Sequence, residues 1–142
     1  MKNIITCLVL LANILSTVTS SCLFSDQYEV HVVNKMPLPK LKLHCASGDN
    51  DLGGNHFNTP NFDFHWKFCE NVLRNTLYFC HLSWGNKEVA FDAFKSKKTE
   101  CPNGVCYYEA RSDGIYFAGW TPDPRVPTKV YDWKNHTGKY KM

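Results

Sequence analysis

Phe62-Asp63-Phe64-His65-Trp66-Lys67-Phe68 places an aromatic ring at every second position and a polar side chain between each pair. Successive side chains of an extended strand point to opposite faces, so this run has one aromatic face for a core and one polar face for water. The same period recurs outward along the chain. Towards the N-terminus, Tyr28-Glu29-Val30-His31-Val32-Val33 and Leu41-Lys42-Leu43-His44-Cys45 alternate. Towards the C-terminus, alternation runs through 77–84, 88–94, 106–111 and 114–118, and Lys129-Val130-Tyr131-Asp132-Trp133 adds an eighth run. Period two with aromatic and β-branched enrichment marks half-buried strands.

Turn chemistry separates these runs. Met36-Pro37-Leu38-Pro39 and Gly48-Asp49-Asn50-Asp51-Leu52-Gly53-Gly54 break the chain, while Trp84-Gly85-Asn86-Lys87 and Ser112-Asp113-Gly114 read as tight hairpins. The one helical candidate, 69–76, is too short to compete. The pattern therefore predicts an all-β fold: a single antiparallel β-sandwich of about seven to eight strands. A length of 142 residues allows one domain, and 44% hydrophobic with 14% aromatic residues excludes a disordered chain. The formal net charge of +3 is too mild to require a nucleic-acid partner.

Residues 1–21 stand apart. A basic start, an apolar run over 4–15 and the small residues that follow match a cleaved secretory signal, and the apolar run is shorter than the roughly 20 residues that span a bilayer. The expected mature domain is 22–142, exported and not inserted in a membrane. Cleavage also removes Cys7 and leaves an even set: Cys22, Cys45, Cys69, Cys80, Cys101 and Cys106. In a small exported chain that set predicts three disulfides. Cys101 and Cys106 bracket the turn sequence Pro102-Asn103-Gly104-Val105. Alternation turns Cys45 and Cys80 inward, which suggests an inter-sheet bridge packed against Trp84. Cys69 is out of phase with Phe68, faces outward and can tie down Cys22.

These ordered features resemble the plant self-incompatibility S-protein homologue family. The resemblance rests on Val30-His31-Val32-Val33-Asn34, on His44-Cys45-Ala46-Ser47-Gly48-Asp49-Asn50-Asp51-Leu52-Gly53, on Phe64-His65-Trp66-Lys67-Phe68, on Phe79-Cys80-His81-Leu82-Ser83-Trp84, and on Cys101 and Cys106 followed by Asp113-Gly114-Ile115-Tyr116. It implies a small secreted β-sandwich, and its best-known members are stigma ligands that trigger rejection of self pollen through a membrane receptor. The family's four shared cysteines match Cys45, Cys80, Cys101 and Cys106, so Cys22 and Cys69 are departures consistent with an extra bridge.

Chemistry-bearing motifs fare less well. Asp49-Asn50-Asp51-Leu52-Gly53 suggests calcium, but glycine sits fifth rather than sixth and Pro60 occupies the twelfth place, so a turn is the better reading. His65 falls on a polar strand face as a solvated histidine. No HExxH, GxSxG or P-loop pattern occurs, and no Cys-x2-Cys pair supports zinc. The sequence thus predicts no catalytic residue, cofactor or metal. Tyr107, Tyr116, Trp120 and Trp133 divide between rim packing and binding. Asn135-His136-Thr137 is a glycosylation sequon.

Two functions follow from this reading. The leading one is a monomeric secreted ligand for a cell-surface membrane receptor, with contacts in segments 48–60, 85–86 and 120–130. Asp49, Asp51, Trp120 and Arg125 are its candidate contact residues. The other is an apoplastic carbohydrate-binding or defence module.

Overall fold

The computed structural model describes residues 2–8, 22–53, 56–119 and 126–136. Ten strands follow in order: β1 (Gln27–Asn34), β2 (Leu41–Ser47), β3 (His56–Asn58), β4 (Asp63–Cys69), β5 (Leu77–Trp84), β6 (Lys87–Lys95), β7 (Val105–Arg111), β8 (Gly114–Gly119), β9 (Thr128–Tyr131) and β10 (Lys134–Asn135). They form two five-stranded sheets. The first has the order β4-β1-β7-β8-β9 and the second the order β10-β6-β5-β2-β3. The eight predicted strands are present, and β3 and β10 are short additions at sheet edges.

The alternating residues meet between the sheets. Val30, Val32, Trp66, Cys106, Tyr108, Ala110 and Ile115 of the first sheet face Leu41, Leu43, Cys45, Cys80, Leu82, Val89, Phe91 and Ala93 of the second. At one end, rings from both sheets close the core: Tyr28 lies 4.5 Å from Phe94 and Phe68 lies 4.5 Å from Tyr78 between centroids. Such tilted pairs each add about 0.5–1.5 kcal/mol beyond the area they bury.

Three expectations need correction. The sandwich is not wholly antiparallel, because β1 pairs with β7 in parallel over Glu29–Val105 to Asn34–Ala110. A parallel neighbour needs a long crossover, and here the chain builds β2, β3, β5 and β6 of the second sheet and edge strand β4 before it returns beside β1. The Cys45–Cys80 bridge is not inter-sheet. Both cysteines are directly opposed partners on adjacent strands β2 and β5, with Cα atoms 4.1 Å apart. Opposed residues share a face, so both point inward without crossing the core. Trp84 lies four residues further along β5, donates its indole N–H to the Pro39 carbonyl at 3.0 Å and neighbours Trp133. Finally, Phe62 precedes β4 and is exposed, because its carbonyl accepts the Asn34 N–H and the chain turns there. Cys22–Cys69 forms as the outward facing of Cys69 predicted, and Cys101–Cys106 closes the turn that its two cysteines bracket.

Register assigns the described turns to the two ends of the sandwich. Ser47 pairs with Tyr78 and Lys42 with Ser83, so the 48–50 turn sits at the end where β5 begins and the Gly85-Asn86 hairpin at the end where it finishes. The loops 70–76 and 96–101 share the first end. The Ser112-Asp113 hairpin and residues 132–136 share the second. No helix among the described residues is long and apolar enough to cross a membrane.

Candidate recognition surfaces

Of the segments 48–60, 85–86 and 120–130 that the sequence offers for partner contacts, the first two have described turns. Residues 48–51 and the hairpin 85–86 occupy opposite ends, and segment 56–58 between them is edge strand β3, paired with Leu41, Lys42 and Leu43. Trp120 and Arg125 lie outside the described residues. Asp49 is exposed at the tip of the first turn.

Asp51 holds its own turn together. Its Oδ1 accepts the Gly53 N–H at 3.0 Å and lies 2.8 Å from His44 Nε2, while its backbone bridges to Ala46. The His44 side chain and then the Gly53 N–H hold its carboxyl below the usual aspartate value. That carboxylate shapes the turn through two local partners, while its side chain stays 67% exposed.

Beside that turn lies a cleft of about 420 Å³. Its walls are the 47–50 turn and the 69–77 segment, with Asp49, Asn50, Asn71, Asn75 and Thr76 turned towards it. The second wall is braced by polar bonds within itself. Asn71 Nδ2 donates to Asn75 Oδ1, the Asn75 N–H donates to Asn71 Oδ1 at 2.8 Å, and the Asn71 N–H donates to Thr76 Oγ1 at 2.9 Å. The Cys22–Cys69 bridge ties the chain ahead of β1 to the same wall. Close in sequence to its two cysteines, four large apolar side chains stand in water: Leu23 at 71%, Phe24 at 84%, Val72 at 72% and Leu73 at 78% exposure. Sequence reading missed them because they fall in loops, where no alternation reports facing. Their signal was apolar residues flanking a cysteine predicted to face outward.

A second cleft, of about 450 Å³, opens between the sheets near β9. Tyr108, Phe117, Val130 and Tyr131 line its apolar part, and Asp92, Lys95, Lys98 and Glu100 its polar part. Burial, aided by the charge of Asp92, pushes the Tyr131 phenol up, so it remains a neutral donor across physiological pH.

The remaining candidates are tied into the fold. Tyr116 donates to Asp113 Oδ2 at 2.6 Å and lies under the Arg111 guanidinium at 4.1 Å. Trp133 donates to the Arg111 carbonyl at 2.7 Å. Burial and the neighbouring Glu109 push the Tyr107 phenol up to about 12, and its hydroxyl donates to that carboxylate. Asn135 is exposed on edge strand β10, where a glycan has room.

A disulfide-braced β-sandwich with polar and apolar loop surfaces at one end is the class that this geometry defines. The chain belongs to the family described as plant self-incompatibility protein S1, whose model matches residues 29–133. It is 32% identical to S-protein homolog 29 of Arabidopsis thaliana over 84% of this chain and 90% of that one. It is 31% identical to S-protein homolog 5 of the same plant over 74% and 77%. Similarity to S-protein homolog 24 reaches 38% over 66% of this chain but spans only 61% of that relative's length. A solved structure described as belonging to "a widespread family of small, highly stable, secreted proteins from plants" matches 80% of this chain and 100% of its own, with a TM-score of 0.61 at 21% identity. This is therefore a disulfide-bonded β-sandwich protein of the S-protein homologue family.

Proposed function

We propose that the mature chain, 22–142, is a non-enzymatic extracellular ligand that engages a cell-surface protein through the end of the sandwich built by residues 22–24, 47–51 and 69–76. One observation carries this reading. Leu23, Phe24, Val72 and Leu73 stand exposed on the two segments that the Cys22–Cys69 bridge joins, one of which walls an amide-rich cleft and is braced by its own hydrogen bonds. Apolar anchors rimmed by polar groups on a preorganised support are what protein interfaces use, and rigidity reduces the ordering cost of binding. Asp49 supplies a charged contact at the rim of the same cleft. Asp51 supports it through the turn, and Trp120 and Arg125 remain proposed contacts on the 120–130 segment. The ligand acts as a monomer, outside the membrane and without nucleic acid.

The test uses labelled mature protein on plasma membranes from reproductive and vegetative tissue. Binding should be saturable and displaced by unlabelled protein. Leu73→Asp should weaken it by at least about thirtyfold, the scale of an interface hot spot, with the melting temperature held. Absence of displaceable binding in every tissue would sink the reading.

The cleft near β9 favours a second reading, a carbohydrate-binding or defence module. Aromatic walls with a polar rim suit a sugar ring, which presents C–H groups on one face and hydroxyls at its edge. A glycan array separates the two, since a ligand for a protein receptor is silent on it.

A further inference from the structure

His31 on β1 and His65 on β4 are directly opposed across an antiparallel pair, on the outward face of the first sheet. Asp63 precedes His65 by two residues and so shares that face. His31 Nδ1 lies 2.9 Å from Asp63 Oδ2 and 3.1 Å from Oδ1, and His65 Nδ1 lies 3.8 Å from Oδ1 and 3.4 Å from the Asp63 carbonyl. The two imidazole rings are stacked, with centroids 5.1 Å apart. One ligand atom from each of the three residues falls within 4.8 Å of the others, and among the described residues no other trio of such groups does. His81 and His136 also flank one carboxylate, Glu88, without closing to that degree.

We propose that His31, Asp63 and His65 form a binding site for a divalent transition-metal ion of the zinc or copper type, distinct from the recognition end. Two imidazoles and one carboxylate with no thiolate suit Zn²⁺, Cu²⁺ or Ni²⁺ and disfavour Ca²⁺ and Mg²⁺, which take all-oxygen sets. Ligands at about 2.0–2.1 Å from zinc stand roughly 3.4 Å apart in a tetrahedron, so small side-chain rotations suffice to admit the ion. The support is already in place. His31 presents Nδ1 to the trio, while its Nε2 lies 3.4 Å from Glu29 Oε1, whose other oxygen is 3.9 Å from Lys67 Nζ. A carboxylate behind the second ring nitrogen fixes the tautomer that leaves the first free to ligate. His31 is the half-buried anchor and His65 the exposed member, which leaves the remaining coordination positions to water.

The experiment is equilibrium dialysis and calorimetry of the tag-free, disulfide-bonded protein at neutral pH with ZnCl₂, CuCl₂ and CaCl₂. One equivalent of Zn²⁺ should bind, with histidine side-chain NMR signals of His31 and His65 shifting together. His31→Gln, His65→Gln and Asp63→Asn should each weaken binding at least tenfold with the near-UV circular dichroism spectrum preserved. Glu29→Gln, which leaves all three ligands, should weaken it about 10–100-fold. His81→Gln/His136→Gln should leave it unchanged. Absence of saturable Zn²⁺ or Cu²⁺ binding up to millimolar concentration would overturn the proposal, as would full binding by the His31 variant or equal affinity for Ca²⁺.

Discussion

Asn34 shows how one polar residue organises an end of this sandwich. It is 1% exposed, its Oδ1 accepts the Met36 N–H at 2.9 Å and its Nδ2 donates to the Thr59 carbonyl at 3.0 Å. Its backbone also receives Asn61 and donates to Phe62, so three stretches of chain meet on one side chain and its peptide. Asn34→Ala strands a buried N–H and a carbonyl. The buried Met36 N–H costs about 1–3 kcal/mol when orphaned, while the carbonyl of exposed Thr59 can turn to water, so denaturant unfolding should report a loss of roughly 1–3 kcal/mol without a change of fold. Glu88 illustrates the opposite regime, an exposed group whose effect is read through pH. The His136 side chain first, and His81 after it, hold its carboxyl below the ordinary 4.5. A depressed carboxyl takes up its proton later in the folded chain than in the unfolded one. Its contribution is therefore present above about pH 4.5 and lost as pH falls through the lowered value. Melting curves of the wild type and Glu88→Gln should differ at pH 6 and converge as pH falls below the lowered value, with high salt narrowing the gap because the pairs face water.

At the scale of strands, alternation made eight elements legible, because burial on one face imposes period two on any strand of useful length. It could not reveal β3 and β10. His56–Asn58 and Lys134–Asn135 are edge segments with too few residues to show a period. Partner choice was equally hidden, since facing says which side a residue takes and not which strand lies beside it. That is why Cys45 and Cys80 were paired correctly but assigned to two sheets, and why the parallel β1–β7 pair came as new information. The His31–Asp63–His65 trio has the same origin: each residue's face was readable, and only register set them side by side. The β8–β9 pair carries its own prediction. Gly114 has φ +153°, and a Cβ there would lie 2.5 Å from the Tyr131 carbonyl oxygen and from the Lys129 side chain. Lys129 can swing away, but the backbone of β9 cannot without breaking its register with Ile115. Gly114→Ala should thus cost about 1–3 kcal/mol and raise amide exchange in β9 while leaving β5 protected.

For the whole molecule the question is what each disulfide constrains. The bridges close separations of 47, 35 and 5 residues for Cys22–Cys69, Cys45–Cys80 and Cys101–Cys106. In the chain-entropy model these correspond to about 4, about 4 and about 2 kcal/mol. Against a total of roughly 5–15 kcal/mol for a domain, losing any one should leave a folded population. Cys45 and Cys80 are fully buried, so their paired alanine variant adds cavity cost and should be the least stable. The other two bridges separate stability from recognition, although Cys106 is as fully buried as Cys45 and Cys80. Cys22–Cys69 anchors the wall that bears Leu23, Phe24, Val72 and Leu73, whereas Cys101–Cys106 closes its own short turn beside Gln27. Cys22→Ala/Cys69→Ala should therefore lose cell-surface binding by more than its stability loss explains, at a temperature where near-UV circular dichroism shows it folded. Cys101→Ala/Cys106→Ala should lose about 2 kcal/mol in guanidinium unfolding, plus a cavity cost at the buried Cys106, and keep its binding. If the Cys22/Cys69 variant, folded, binds as tightly as the wild type, the recognition surface lies elsewhere, and the cleft beside β9 becomes the site to test.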